Sequence, residues 1–187
     1  MKFFRILLFF FIGLLIIILI IAGVVKKTYS TEREVIINIP KQTVFSYIKH
    51  LGNLNKYSKW ATMDESIQYS YKGNDGEAGF VYSWESDADG IGKGSQEITT
   101  IKEGERVESK IHIEKPFETN ATSYFITDSI APNKTKLKWG IIGKIKYPTN
   151  ALLLVMNIDK IVGNDLGVGL DNLKVLLEKE PISPPLK

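Results

Sequence analysis

The sequence predicts an α+β domain: one curved antiparallel sheet of seven strands around a long C-terminal helix, preceded by one transmembrane helix. Three patterns carry that expectation. Residues 6–25 (ILLFFFIGLLIIILIIAGVV) hold no polar side chain. Between residues 34 and 142 lie seven β-rich runs, most of them alternating, with turn signals between the later ones. Near the C-terminus Leu166, Leu170, Leu173 and Leu177 recur at helical spacing, which marks an amphipathic helix.

The apolar run comes first. Twenty residues at 1.5 Å rise make about 30 Å of helix, the thickness of a bilayer's hydrocarbon core. Within lipid a single segment satisfies its backbone only as a helix. A cleaved signal peptide has a shorter apolar core of roughly 7–15 residues and a small-x-small site. Ile21-Ala22-Gly23 matches that site poorly, and a chain without cysteine has no lipobox. Residues 1–27 are therefore expected to be an uncleaved single-pass anchor. Lys2 and Arg5 before the span and Lys26 and Lys27 after it would hold it in register with lipid head groups. The two flanks nearly cancel in orientation. The expectation is an N-terminus inside the cell membrane and a domain on the extracytoplasmic side. Residues 28–33 read as a short polar link, so the domain, residues 28–180, would sit close to the bilayer.

Residues 34–39 (EVIINI) are β-branched and predict a strand. Pro40 suits the first turn of a helix, and Val44, Phe45, Ile48 and Leu51 follow at helical spacing. Gly52 and Asn53 stop it, and residues 54–60 (LNKYSKW) predict a second short helix. From Ser66 the period becomes two. Ile67-x-Tyr69-x-Tyr71 and Phe80-x-Tyr82-x-Trp84 alternate, residues 95–101 form a third run, and Val107-x-Ser109-x-Ile111-x-Ile113 a fourth. Residues 121–128 and 135–142 complete the set. Asn74-Asp75-Gly76, Asp89-Gly90, Glu103-Gly104 and Pro132-Asn133 separate them, which predicts an antiparallel meander. Residues 149–180 are expected to be helical, kinked or divided near Gly163-Asn164. Pro181, Pro184 and Pro185 make 181–187 a Pro-rich tail. One helix is the available cover for the sheet's inner face, and such a wrap leaves an internal cavity.

Composition removes several function classes. The 187 residues carry 24 Lys+Arg against 21 Asp+Glu, a net charge of +3. Four of those cations lie in residues 1–27, which hold no acid, so the domain itself is slightly acidic. A nucleic-acid binder needs the opposite. No cysteine is present, and only two histidines, His50 and His112. Thiolate zinc, Fe–S and Cys-nucleophile chemistry are excluded, and no metal or cofactor is expected. Nothing in the sequence sets the oligomeric state.

The order of motifs resembles the helix-grip fold of the START-like (SRPBCC) superfamily, which includes polyketide cyclase/dehydrase-like and Bet v 1-like proteins. Val35-x-Ile37-x-Ile39-Pro40-x-x-x-Val44-Phe45-x-x-Ile48 is similar to its opening strand and helix. Leu54-x-x-Tyr57-x-x-Trp60 resembles its short second helix. Tyr71-x-Gly73, Gly79, Trp84-x-Ser86 and Gly92-x-Gly94 resemble its glycine-punctuated hairpins, and Gly167-x-Gly169-Leu170-x-x-Leu173-Lys174 its closing helix. The resemblance spans residues 33–179. It implies a hydrophobic-ligand cavity and no particular reaction, because this fold hosts carriers, receptors and cyclases alike.

Candidate ligand contacts are Trp60, Tyr82, Trp84, Phe117, Phe125 and Trp139, whose rings serve equally as core and as cavity wall. Leu152 and Met156, on the apolar segment of the last helix, would face the same space. The partner expected there is a lipid or other apolar small molecule. A cyclase or dehydratase would need an acid and a base within reach of a buried substrate. Asp64, beside Glu65 in a loop after Trp60, and Asp159, at helical spacing from Met156, are weak candidates; solvation or helix capping explains them as well. His112 falls on the polar side of its strand with Glu108, Lys110 and Glu114, and His50 at a helix C-terminus; both read as structural. Gly90-Ile91-Gly92-Lys93-Gly94 lacks phosphate-loop spacing and reads as a hairpin turn. A third reading is an envelope interaction module without a ligand.

Overall fold

Alternating side chains make two-faced strands, and all seven pair into one sheet. The computed structural model describes residues 2–88, 90–116 and 118–179. The helices are α1 (Lys2–Val24), α2 (Lys41–Ile48), α3 (Leu54–Tyr57) and α4 (Ile158–Lys179). The strands are β1 (Thr28–Ile37), β2 (Gln68–Lys72), β3 (Val81–Glu85), β4 (Lys93–Lys102), β5 (Arg106–Lys115), β6 (Thr119–Ala131) and β7 (Lys134–Lys144). Their order is β1-β7-β6-β5-β4-β3-β2, and every neighbouring pair is antiparallel. Strands β2 to β7 form the expected meander. β1 joins its far edge, so β1 and β2 lie on opposite edges although only α2, α3 and two short 3-10 turns separate them in the chain. That connection must cross the sheet, and it brings α2 and α3 to the inner face.

Two sequence expectations are corrected. Residues 28–33 are not a link: they are the first half of β1, paired from Thr28↔Lys144 to Arg33↔Trp139. The polar composition disguises the strand. Its inward register holds Thr31 and Arg33, and these are satisfied by α4 rather than by apolar neighbours. Thr31 Oγ1 donates to Asp159 Oδ1 at 2.6 Å, and the Arg33 guanidinium grips both Asp159 carboxylate oxygens at 3.0 and 3.1 Å.

The last helix is also not divided near Gly163. Residues Thr149–Leu154 form a 3-10 segment, the chain breaks at 155–157, and α4 then runs unbroken. Asn157 sets the break: its side-chain oxygen accepts from the Lys160 N–H at 2.9 Å, an N-cap that satisfies a donor left over at the helix start. Gly163 stays helical because it faces the sheet. A Cβ there would lie 2.2 Å from an Arg33 nitrogen and 2.8 Å from Thr31 Oγ1. The Pro-rich tail 181–187 and the candidate Phe117 lie outside the described residues.

The core joins α4 to the inner face. Leu166, Leu170, Leu173 and Leu177 are fully buried, with Phe45 and Ile48 of α2, Tyr57 of α3, and Ile37, Phe125, Leu137 and Trp139 of the sheet. Each such Leu or Ile side chain is worth about 1.5–3 kcal/mol relative to exposure. Polar ties fix the helices: Lys59 pairs with Asp165 of α4, and the Asn172 amide donates to the Tyr57 carbonyl at 3.1 Å.

Two glycines of α4 separate packing from propensity. Gly169 lies under Trp139, with a Cβ position 2.7 Å from the ring, whereas Gly167 has open space around it. Gly167→Ala should stabilise the chain by about 0.5–1 kcal/mol through the backbone alone. Gly169→Ala should instead destabilise it by about 1–3 kcal/mol through overpacking. Thermal melts of the full chain in mild detergent compare the two, and equal shifts would contradict this account of the helix–sheet contact.

Candidate functional site

Seven strands spaced about 4.8 Å apart span roughly 29 Å, and a helix is about 10–12 Å across with its side chains. α4 lies against β1 at one edge of the inner face. A cavity of about 250 Å³ remains beneath the other strands. Trp60, Leu54, Ser58 and Ala61 close it from α3 and the turn after it. Tyr69, Tyr82 and Trp84 line it from β2 and β3, Gln96, Ile111 and Ile113 from β4 and β5, and Ala121, Ser123, Trp139 and Ile141 from β6 and β7. Tyr29 of β1 and Val162 of α4 form the side nearest the helix, and Gly90 and Ile91 come from the β3–β4 turn.

The aromatic walls are ordered by their neighbours. Tyr69 stacks on Tyr82 with ring centroids 5.6 Å apart, Tyr82 leans on Trp84 at 5.8 Å, and Trp60 meets Trp139 edge-on at 6.2 Å. Two rings lie flat because glycine stands across from them. Trp84 pairs with Gly94, where a Cβ would sit 2.6 Å from the indole, and Tyr29 pairs with Gly143, where it would sit 2.1 Å from the phenol. Any side chain at either glycine would push its ring off the sheet.

A short polar line runs across the inner face. The Trp139 indole N–H donates to Ser123 Oγ at 3.0 Å, Gln96 Nε2 donates to Ser109 Oγ at 2.7 Å, and Ser109 Oγ donates to the Ser123 carbonyl at 3.4 Å. Gln96 and Ser123 reach the cavity and offer neutral polar atoms to a bound molecule. No carboxylate, amine, guanidinium or imidazole lines the cavity among the described residues. The titratable groups that do are Tyr29, Tyr69 and Tyr82. Burial pushes the pKa of each upward, most strongly for Tyr82, where the neighbouring Tyr69 oxygen adds to it. All three are neutral hydroxyls at physiological pH.

The sequence candidates divide accordingly. Trp60, Tyr82, Trp84 and Trp139 line the cavity. Phe125 does not: it stacks behind Trp139 at 5.0 Å and is core. Leu152 and Met156 do not either. They belong to the stretch before α4, at 49% and 42% exposure, outside the cavity. Asp159 points away from the cavity onto Arg33, and that side-chain bond, followed by the one from Thr31, holds its carboxyl below the usual range. Asp64 accepts from the Ser66 hydroxyl at 2.6 Å, the Ser66 N–H at 2.8 Å and the Ser86 hydroxyl at 2.6 Å, tying the loop before β2 to the end of β3. Its pKa is likewise lowered. Neither aspartate lines the cavity, and an acid or base must stand within hydrogen-bond reach of the group it serves. His112 pairs with Asn120 across the outer face at 2.9 Å, and His50 lies 4.0 Å from Asp75. Among the described residues no three His, Asp or Glu side chains converge as a metal site.

Gln96, Ser109 and Ser123 were not singled out from the sequence. The signal was present: each occupies the apolar register of its strand, as in Val107-x-Ser109-x-Ile111. A small polar side chain on an inward register predicts a buried hydrogen bond.

No protein-family model matches the chain, and no curated protein matches it. Solved structures do. A Thermobifida fusca protein solved by NMR is similar with a TM-score of 0.60 at 12% identity, covering 80% of this chain and 93% of that one. Truncated norcoclaurine synthase from Thalictrum flavum gives 0.59 at 9% identity, covering 82% and 95%. Ara h 8.0201 gives 0.56 at 14% identity, covering 82% and 99%. The fold is Bet v 1-like. At these identities the likeness concerns the fold alone.

The Asp64 tie outside the cavity has a pH dependence of definite sign. A carboxyl whose folded pKa is depressed stabilises the fold above its unfolded pKa, and this is lost as pH falls through the folded value. Asp64→Asn should therefore be less stable than the parent at neutral pH. The two melting curves should converge as pH drops below the ordinary carboxylate range, and a difference that persisted there would sink the assignment.

Proposed function

We propose that the domain binds one small apolar molecule, of about one or two rings, in the cavity between sheet and α4, and that α1 holds it at a membrane. The carrying observation is the cavity itself: mostly aromatic and aliphatic walls, with a few neutral polar atoms to orient a guest. Burial of apolar ligand area at about 25 cal/mol per Å² supplies the affinity. Its volume of about 250 Å³ lies just under the roughly 300–1,000 Å³ of pockets that enclose drug-sized ligands. A whole diacyl lipid does not fit, and a compact apolar metabolite does. A fold neighbour supports the class: a norcoclaurine synthase structure holds dopamine and hydroxybenzaldehyde, at a TM-score of 0.58 and 10% identity. The cavity offers no acid–base pair among its described residues, which favours binding over cyclase or dehydratase chemistry.

The anchor reading rests on α1. The most apolar stretch of Phe3–Val24 has a mean hydropathy of 3.3 and is almost entirely unburied by the rest of the chain, and its length and composition suit a bilayer. Placement of the domain outside the cytoplasm follows the weak bias of Lys2, Arg5 and the amino terminus over Lys26 and Lys27. A phosphatase reporter fused after Lys187 should be active if the domain is exported; activity only for a cytoplasmic reporter would reverse the orientation.

The three tryptophans of the chain, Trp60, Trp84 and Trp139, all line the cavity, so energy transfer to a bound fluorophore reports occupancy. A two-ring aminonaphthalene titrated into the full chain should show sensitised emission. Ala121→Phe, which fills the cavity, should weaken it tenfold or more, about 1.4 kcal/mol, with an unchanged melting curve. Since the lining tyrosines keep their protons, affinity should stay flat from about pH 5 to 9. Equal affinity in Ala121→Phe would place the probe elsewhere.

A further inference from the structure

One surface is left unexplained by cavity and anchor alone. The 3-10 segment Thr149–Leu154 and the break after it carry Leu152, Leu154, Val155 and Met156 outward, with Val155 81% exposed. Tyr147 stands beside them, half exposed. Four exposed apolar side chains within five consecutive residues mark a contact surface.

The position of this segment relative to α1 is fixed by hydrogen bonds. Asn150, fully buried, donates from Nδ2 to the Ala22 carbonyl at 2.7 Å and the Val25 carbonyl at 3.1 Å. These are carbonyls at the C-terminal end of α1, which have no partner within the helix. Ala22 is buried by the contact, while the rest of the span stays bare. The Tyr147 hydroxyl reaches the Leu19 carbonyl at 3.5 Å, and Lys27 lies 6.0 Å over its ring. The apolar segment is thus bolted to the last turn of the span. Lys26, Lys27, Lys146 and Lys160, all exposed, lie within a few residues of it or of the α1 end it is bonded to; Asp159, the acid nearest in sequence, is taken up by Arg33. Exposed apolar side chains flanked in the chain by lysines match the chemistry of a bilayer interface with anionic head groups.

We propose that residues 152–156, together with Tyr147, seat in the lipid interface, so that the domain docks edge-on to the bilayer through the α1–β1–α4 edge. This rests on the reading of α1 as a membrane anchor. It also gives the groove between the end of α1 and residues 153–159 a bilayer-facing mouth. Tyr29 lines both that groove and the internal cavity.

The natural chain has no cysteine, so single-cysteine variants of the full protein report depth directly. Val155→Cys, Ile12→Cys and Asn133→Cys are labelled with NBD and reconstituted in phosphatidylcholine/phosphatidylglycerol vesicles containing shallow or deep doxyl lipids. Asn133 lies in the β6–β7 turn, at the end of the sheet away from α1. The expected result is quenching at position 12 by deep doxyl, a blue shift and quenching at 155 by shallow doxyl, and neither effect at 133. If 155 behaves like 133 while 12 is quenched, the anchor stands and the docking surface is overturned. If 12 is not quenched, the anchor reading fails and the docking proposal fails with it.

Discussion

A single helix must cover the inner face of a sheet more than twice its width, and the rest of the structure answers to that mismatch. α4 resolves it by taking one side. Its leucine face and its glycines at 163 and 169 let it lie close against β1 and Trp139. What it leaves open is closed partly by α3, the Trp60 turn and the β3–β4 turn, and the remainder is the cavity. The hollow is a consequence of geometry, because α1, the other long helix among the described residues, meets the domain only near its C-terminal end and leaves the inner face to α4. Glycine at 94 and 143 lets Trp84 and Tyr29 lie flat across neighbouring strands, so the frame of the hollow is aromatic.

The position of charge follows from the same mismatch. Ionisable groups near the inner face are used up in holding α4: Arg33 and Thr31 on Asp159, Lys59 on Asp165. On the outer face Glu32 accepts from Tyr124 and pairs with Lys138, and Arg106 lies 4.6 Å over the Tyr124 ring. Among the described residues the cavity keeps neutral polar atoms, and the burial of Gln96 and Ser123 is tolerable because they are hydrogen-bonded. A site built this way can select shape and one or two hydrogen bonds.

Much of this was legible from local pattern. Period-two runs located six of the seven strands, and the leucine spacing located α4 and its buried face. β1 was half missed because Thr31 and Arg33, its inward residues, find their partner 128 and 126 residues away on Asp159. The break before α4 was misplaced for a related reason. Glycine at 163 looks like an interruption in isolation, yet it is a close-packing position, and the real boundary is an asparagine cap. Leu152 and Met156 were placed in the cavity because apolar residues beside a core helix usually continue it; here the segment turns outward and is held by the end of α1.

By itself the amino-acid sequence determined the period of each element, the apolar N-terminal helix, the absence of thiol chemistry and the aromatic character of the inner strands. These are properties of residue type and spacing, which local sterics and solvent transfer read directly. Only the tertiary structure decided which rings face the hollow and which, like Phe125, stand behind them. It alone showed that the aspartates at 64 and 159 are structural ties, and that an asparagine at 150 joins the span to the domain. Such assignments depend on partners far apart in the chain, and no local pattern encodes a distance between strands that have not yet paired.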